Sequence, residues 1–214
     1  MVASLYGVDQ ESKSIWIYLE VETGGLAGVS KELIAKGRQI CDQLGWQLSG
    51  LLFGHQVKGL AAEGIALGLD TIWLGDNPLL ENFIIESYSS IAFQALMESK
   101  PSVFLLGATP NGRDLAGRLA VRLRTGLNAD CTDLYLDSET ERLVCEVSGF
   151  GGGVLALIEM AEHRPQMATI RPGVFTPGDG DHSRIGKIIE LDVNLDPEVL
   201  TTKIIERSIG KEID

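Results

Sequence analysis

The chain has 214 residues, 44% of them hydrophobic and 22% charged, and a formal net charge of -12, with a pI near 4.7 and a mean hydropathy of +0.11. These values suit one α/β domain, or one domain with an appendage, that buries a core without staples. They argue against nucleic-acid phosphate or an anionic membrane surface as the main partner. Three scattered cysteines, Cys41, Cys131 and Cys145, include no CxxC pair, which argues against a disulfide framework. Only three scattered histidines are available to join them in a zinc or iron–sulfur site.

The opening "MVASLYGVDQESK" lacks a basic region followed by an apolar one, and no run approaches the roughly 20 apolar residues of a membrane span. The expectation is a cytoplasmic protein with no membrane insertion. "SIWIYLEV" (14–21) is β-rich and nearly continuous, the pattern of a strand covered on both faces. "SKELIAKGRQICDQLG" (30–45) predicts a helix with Ser30 as its cap, and Leu33, Ile34, Ile40, Cys41 and Leu44 on one stripe. "WQLSGLLFG" (46–54), "VKGLAAEGIALG" (57–68) and "TIWLGD" (71–76) read as strand, short helix and strand. "LLENFIIESYSSIAFQALMES" (79–99) predicts a long amphipathic helix that stops before Pro101.

"SVFLLG" (102–107) is the fourth strand, and "NGRDLAGRLAVRLRTG" (111–126) the helix after it, with Gly126 where a left-handed C-cap belongs. Strand–helix alternation with short connections implies parallel strands. After residue 128 the rhythm changes. "CTDLYLDSETERLVCEVSG" reads as an antiparallel hairpin around "DSET", and 153–161 and 166–173 as further strands. A polar loop from Thr176 leads to a strand over 187–193. The division expected is an α/β domain over 1–176, followed by a loop and extension over 177–214.

Three stretches stand out chemically. In "GATPNGRD" (107–114), either Thr109, with Pro110 at the first helical position, or Asn111 caps the next helix. That turn is either a plain strand-to-helix connection or an anion site at a helix amino end, on the sheet edge where ligands bind. Arg113 lies in the first turn, against the helix dipole, which implies a partner carboxylate or phosphate. "SGFGGGV" (148–154) permits close approach but is not the dinucleotide fingerprint. "EHRPQMATIRPGVF" (162–175) carries two Arg-Pro pairs, so Arg164 and Arg171 are candidates for docking or anion pairing. There is no G-x-S-x-G elbow and no P-loop, and nothing pairs His163 with a nucleophile.

Taken together, "LLGATPNGRDLAGRLAVRLRTGLNADCTDL" (105–134), the FGG turn and "RPQMATIRPGVF", with "SIWIYLEV" and the helix after it, resemble the α subunit of electron-transferring flavoproteins. The resemblance implies a Rossmann-like α/β fold, adenine nucleotide alpha hydrolase-like, with a mainly parallel sheet, helices on both faces and added antiparallel strands. It implies an electron carrier, not a catalyst, that pairs with a β subunit and takes electrons from acyl-CoA dehydrogenases or other flavin dehydrogenases. The FAD belongs mainly to a C-terminal domain, which this sequence lacks, and AMP or a second FAD to the β subunit. Gly107, Ala108, Thr109, Asn111, Gly112 and Arg113 would then form the nucleotide-like edge. Phe150, Gly151, Gly152, Arg164, Gln166 and Met167, with Arg171, would line the surface that meets the partner. Val147, Ser148 and Gly153 depart from the family's arginine-proline and asparagine pattern around the FGG turn. A stand-alone adenine-nucleotide-binding module is the alternative.

Overall fold

The computed structural model describes residues 4–149, 153–195, 200–202 and 204–206. In chain order it contains β1 (Ser12–Leu19), a short β2 (Val21–Glu22) and β3 (Gly25–Leu26), α1 (Gly28–Leu44), β4 (Gln47–Gly54), α2 (Leu60–Leu67) and β5 (Thr71–Asp76). Then follow α3 (Ile85–Ser99), β6 (Pro101–Gly107), α4 (Pro110–Leu123), β7 (Leu127–Cys131), β8 (Asp133–Leu136), β9 (Leu143–Gly149), β10 (Val154–Glu159), β11 (Gln166–Ile170) and β12 (Lys187–Glu190).

Seven strands make one sheet in the order β12–β5–β4–β1–β6–β11–β7, every pair parallel. This is the expected Rossmann-like α/β architecture. Alternate residues of the central strands feed two separate cores. Ile15, Ile17 and Leu19 pack under α1 and α2 and beside Leu134, Leu143 and Cys145 of the small sheet. Trp16 and Tyr18, with Leu51 and Phe53, pack under α3 and α4, where Leu115, Leu119 and Leu123 are wholly buried. A period of two in a strand and of about 3.6 in a helix is enough to build such a sandwich.

The antiparallel strands do not extend the main sheet. They form their own, β10–β9–β8, with β10 at one edge. Among the described residues, no helix is long and apolar enough to cross a membrane, and no group of three or more His, Cys, Asp or Glu is placed to hold a metal ion.

Local expectations fail where a side chain found a better partner. The helix expected over 79–99 begins only at Ile85, because Asn77 caps a separate 3-10 turn over Pro78–Leu80 by accepting a hydrogen bond from Leu79 N at 3.0 Å. Ser30 does not cap α1, which starts at Gly28; its hydroxyl instead accepts the Glu20 N–H at 2.8 Å. The left-handed end of α4 falls on Arg124, not Gly126. A Cβ on Gly126 would come within 2.7 Å of Met160 Sδ, so the flexible methionine side chain would have to shift to admit one. The strand expected over 187–193 stops at Glu190, where its pairing with β5 runs out at Leu74. Asp181 N donates to Ala66 O at 2.8 Å and Arg184 reaches Asp70 at 3.2 Å, so the approach to β12 is pinned to the body.

Candidate functional site

The turn after β6 is built for closeness. Thr109 is the cap: its hydroxyl accepts the Gly112 N–H at 2.9 Å, with Pro110 at the first helical position. Gly107 admits Val29, whose Cγ1 would lie 2.8 Å from a Cβ, and a Cβ on Gly112 would drive into the Gly107 carbonyl oxygen. Ala108 N donates to Ile170 O at 2.7 Å, which ties the turn to β11. The glycines are there so that α4 can start directly on top of β6.

An anion does sit at this helix end, and the chain supplies it. The Thr109 hydroxyl lies 2.7 and 2.8 Å from the two carboxylate oxygens of Glu20, just past the end of β1. Burial pushes the Glu20 carboxyl up from its usual range and Glu22 adds to this, while the Thr109 hydrogen bond pulls the other way. A phosphate arriving at the amino end of α4 would meet a carboxylate already in place. The turn therefore does not fit the pyrophosphate of a dinucleotide.

Arg113 and Arg171 converge, and the residue that joins them is one that sequence reasoning missed. Arg113 Nη2 lies 3.1 Å from Asp130 Oδ1, and Arg171 Nη2 lies 2.7 Å from Asp130 Oδ2. Asp130 has a left-handed backbone (φ 58°), a conformation Asp tolerates better than most residues, and its N–H goes to Thr169 Oγ1 at 2.9 Å. The hydrogen bond from Arg171, with help from Arg113, holds the Asp130 carboxyl below its usual range. Nothing local to "LNADC" marks this role, because both arginines come from other elements.

Arg164, Gln166 and Met167 are not at the surface. The Arg164 side chain is 2% exposed and pairs with the Glu11 carboxylate, itself 1% exposed, while Nη1 donates to His163 O at 3.0 Å. The Gln166 amide clasps the start of β9: Oε1 accepts Leu143 N at 2.7 Å and Nε2 donates to Glu141 O at 3.1 Å. Met167 is wholly buried in the core under α3 and α4. Phe150, Gly151 and Gly152 lie outside the described residues.

Two surface features remain. A cleft of about 430 Å³ opens at the carboxyl ends of β1 and β4, with Tyr18, Glu20, Phe53, Glu81 and Asn111 on its walls. On the small sheet, all six residues of β10 are exposed. Val154, Leu155, Leu157 and Ile158 retain 52%, 59%, 60% and 39% of their accessible surface. Both faces and one edge of an apolar strand are left open, which is unusual for a finished surface.

The model of the family described as "Electron transfer flavoprotein domain" matches residues 15–196. The chain is 42% identical over 200 residues to the electron transfer flavoprotein subunit alpha of Thermoanaerobacterium thermosaccharolyticum, covering 94% of this chain and 60% of that protein. It is 38% identical to the subunit of the same name in Clostridium acetobutylicum (90% and 58% covered). It is 39% identical to Protein FixB of Clostridium saccharobutylicum (91% and 58% covered). The chain thus spans about three fifths of the length of the curated relatives it matches.

Proposed function

We propose, for a chain that belongs to the electron transfer flavoprotein family, that it supplies a scaffold and a docking surface, while the electrons travel on an FAD anchored by other polypeptide. In this reading the α/β unit expected over 1–176 extends through β12 (Lys187–Glu190), which completes its sheet, and the residues after it lead toward flavin-binding polypeptide. The chain pairs with a β subunit, which holds AMP or a second FAD, and electrons arrive from acyl-CoA dehydrogenases or other flavin dehydrogenases.

The observation that carries this reading is β10. Four large apolar side chains stand exposed on a strand whose outer edge has no partner among the described strands, in a chain with a net charge of -12. Covering them with a partner removes apolar area from water at roughly 25 cal/mol per Å², and the free edge offers backbone groups for strand addition. The Glu20 carboxylate at the amino end of α4 weighs against the alternative, a stand-alone nucleotide-binding module, because that helix end already has its anion.

Co-expression with a β subunit tests the proposal. The two chains should copurify, and Leu155→Asp with Leu157→Asp should abolish the pairing while leaving the thermal midpoint nearly unchanged. A 214-residue chain that purifies alone as a monomer with one tightly held FAD would overturn it.

A further inference from the structure

We propose that the outward face of α4 docks an acidic helix of another protein, whose carboxylates meet Arg118, Arg122 and Arg124 and whose backbone closes down on Gly117. The inward face of α4 is filled by the fold: Leu115, Ala116, Leu119 and Leu123 are wholly buried. On the opposite side Asp114, Gly117 and Val121 follow the spacing of a single helix stripe, and Arg124 lies just past the helix end. Residues 110–124 hold four arginines and one acid in a chain whose net charge is -12.

Two choices on that face cost the chain stability, and the fold does not require either. Gly117 sits in mid-helix, where alanine is preferred, although a Cβ there would meet no atom within 4 Å. Arg118 and Arg122 are both exposed and stand four residues apart, so two like charges share one side of the helix. The helix dipole favours cations in the last turn, which accounts for Arg122 and Arg124 but not for Arg118 or Gly117. Local choices that cost stability without a structural return are expected at functional sites.

The chemistry of the face selects the kind of partner. Without a Cβ, Gly117 lets another backbone come close, and Val121, 79% exposed one turn later, supplies an apolar contact. Arg122 is held in place: its Cζ lies 4.6 Å from the centre of the Phe93 ring and its Nη1 lies 3.4 Å from Ser89 Oγ. Desolvation, then the neighbouring Arg118 charge, push the Arg122 guanidinium below its usual value. A carboxylate arriving between the two arginines relieves that repulsion. All four cations are guanidiniums, whose forked donors match carboxylates. So short a basic patch on so acidic a chain suits a carboxylate-bearing helix better than the continuous phosphates of a nucleic acid.

The test follows the fluorescence anisotropy of a labelled helical peptide of about 20 residues, long enough to hold a helix, with glutamates along one face of an alanine background. The chain as purified should bind it at low salt and lose it as salt rises, and the same peptide with glutamine for glutamate should not bind. Arg118→Gln and Arg122→Gln should each weaken binding about two- to fivefold. Gly117→Ala should weaken it about fivefold or more while raising the urea midpoint, two opposite shifts that a purely structural glycine would not give. No binding at about millimolar peptide, equal binding of the glutamine peptide, tighter binding of a single-stranded DNA of the same charge, or a Gly117→Ala chain that binds as well as the unaltered one would each overturn the proposal. Leu155→Asp with Leu157→Asp should leave peptide binding unchanged, because α4 packs on the core across the main sheet from the small sheet. Failure of β-subunit pairing and failure of this site are therefore read separately.

Discussion

Breaking the buried pair between Glu11 and Arg164 should be among the most damaging single changes available. Both side chains are almost fully excluded from water, at 1% and 2% exposure, so the discount that applies to surface ion pairs does not apply here. Glu11→Gln keeps the shape and removes the charge. It leaves a guanidinium in the interior whose remaining acceptor is His163 O at 3.0 Å, beside a Tyr6 whose phenol burial has already pushed up. Leaving one member of such a pair uncompensated costs about 3–5 kcal/mol. For a chain of this size that is about 6–20 °C in the thermal midpoint, at about 2–4 °C per kcal/mol. Urea unfolding followed by tryptophan fluorescence reads the loss as a lower midpoint with an unchanged slope. Added salt should change the effect little, because the pair is dry. The double variant Glu11→Leu with Arg164→Met should be less destabilised than either partner-stranding single variant. A Glu11→Gln midpoint corresponding to less than about 1 kcal/mol of lost stability would refute the reasoning.

Gly112→Ala should fold poorly or lose about 3 kcal/mol or more, because the new Cβ meets the fixed Gly107 carbonyl, whereas Gly117→Ala, with open space around it, should gain about 0.5–1 kcal/mol; chemical denaturation checks both. Asp130→Asn should cost under about 1 kcal/mol at neutral pH, since the Asp130 pairs are largely exposed. Its pH dependence follows from a carboxyl held low in the folded state. The Asp130 contribution is present above the unfolded value near 3.9 and is lost as pH falls through the lower folded value, so the gap between the two proteins should close below about pH 4. All three cysteines are buried, and burial pushes the Cys41 thiol up to about 12. A chromogenic disulfide reagent at pH 8 should therefore find no fast-reacting thiol in the native chain and three after denaturation.

Much of the framework could be read locally. Continuous apolar runs became the inner strands, the helix expected over 111–126 became α4, and Thr109 with Pro110, one of the two caps expected, starts it. These features depend on periodicity and capping, which act over a few residues. Strand order, the separate small sheet and the burial of Arg164 were not legible, because they depend on pairings between segments far apart.

The amino-acid sequence by itself determined that this is a layered α/β chain with a strand-to-helix turn at 107–113, and left open whether that turn is a plain connection or an anion site. Only the tertiary structure decided what that turn faces. Glu20 is 89 residues from Thr109 in the chain, Glu11 is 153 from Arg164, and Asp130 gathers arginines from two other elements. The physical reason is that side-chain chemistry is carried by the residue, whereas the dielectric and the neighbours that give it a role come from packing distant segments together. An arginine followed by proline reads the same in solvent or in a core, and the fold assigned Arg164 to the interior and Arg171 to the surface.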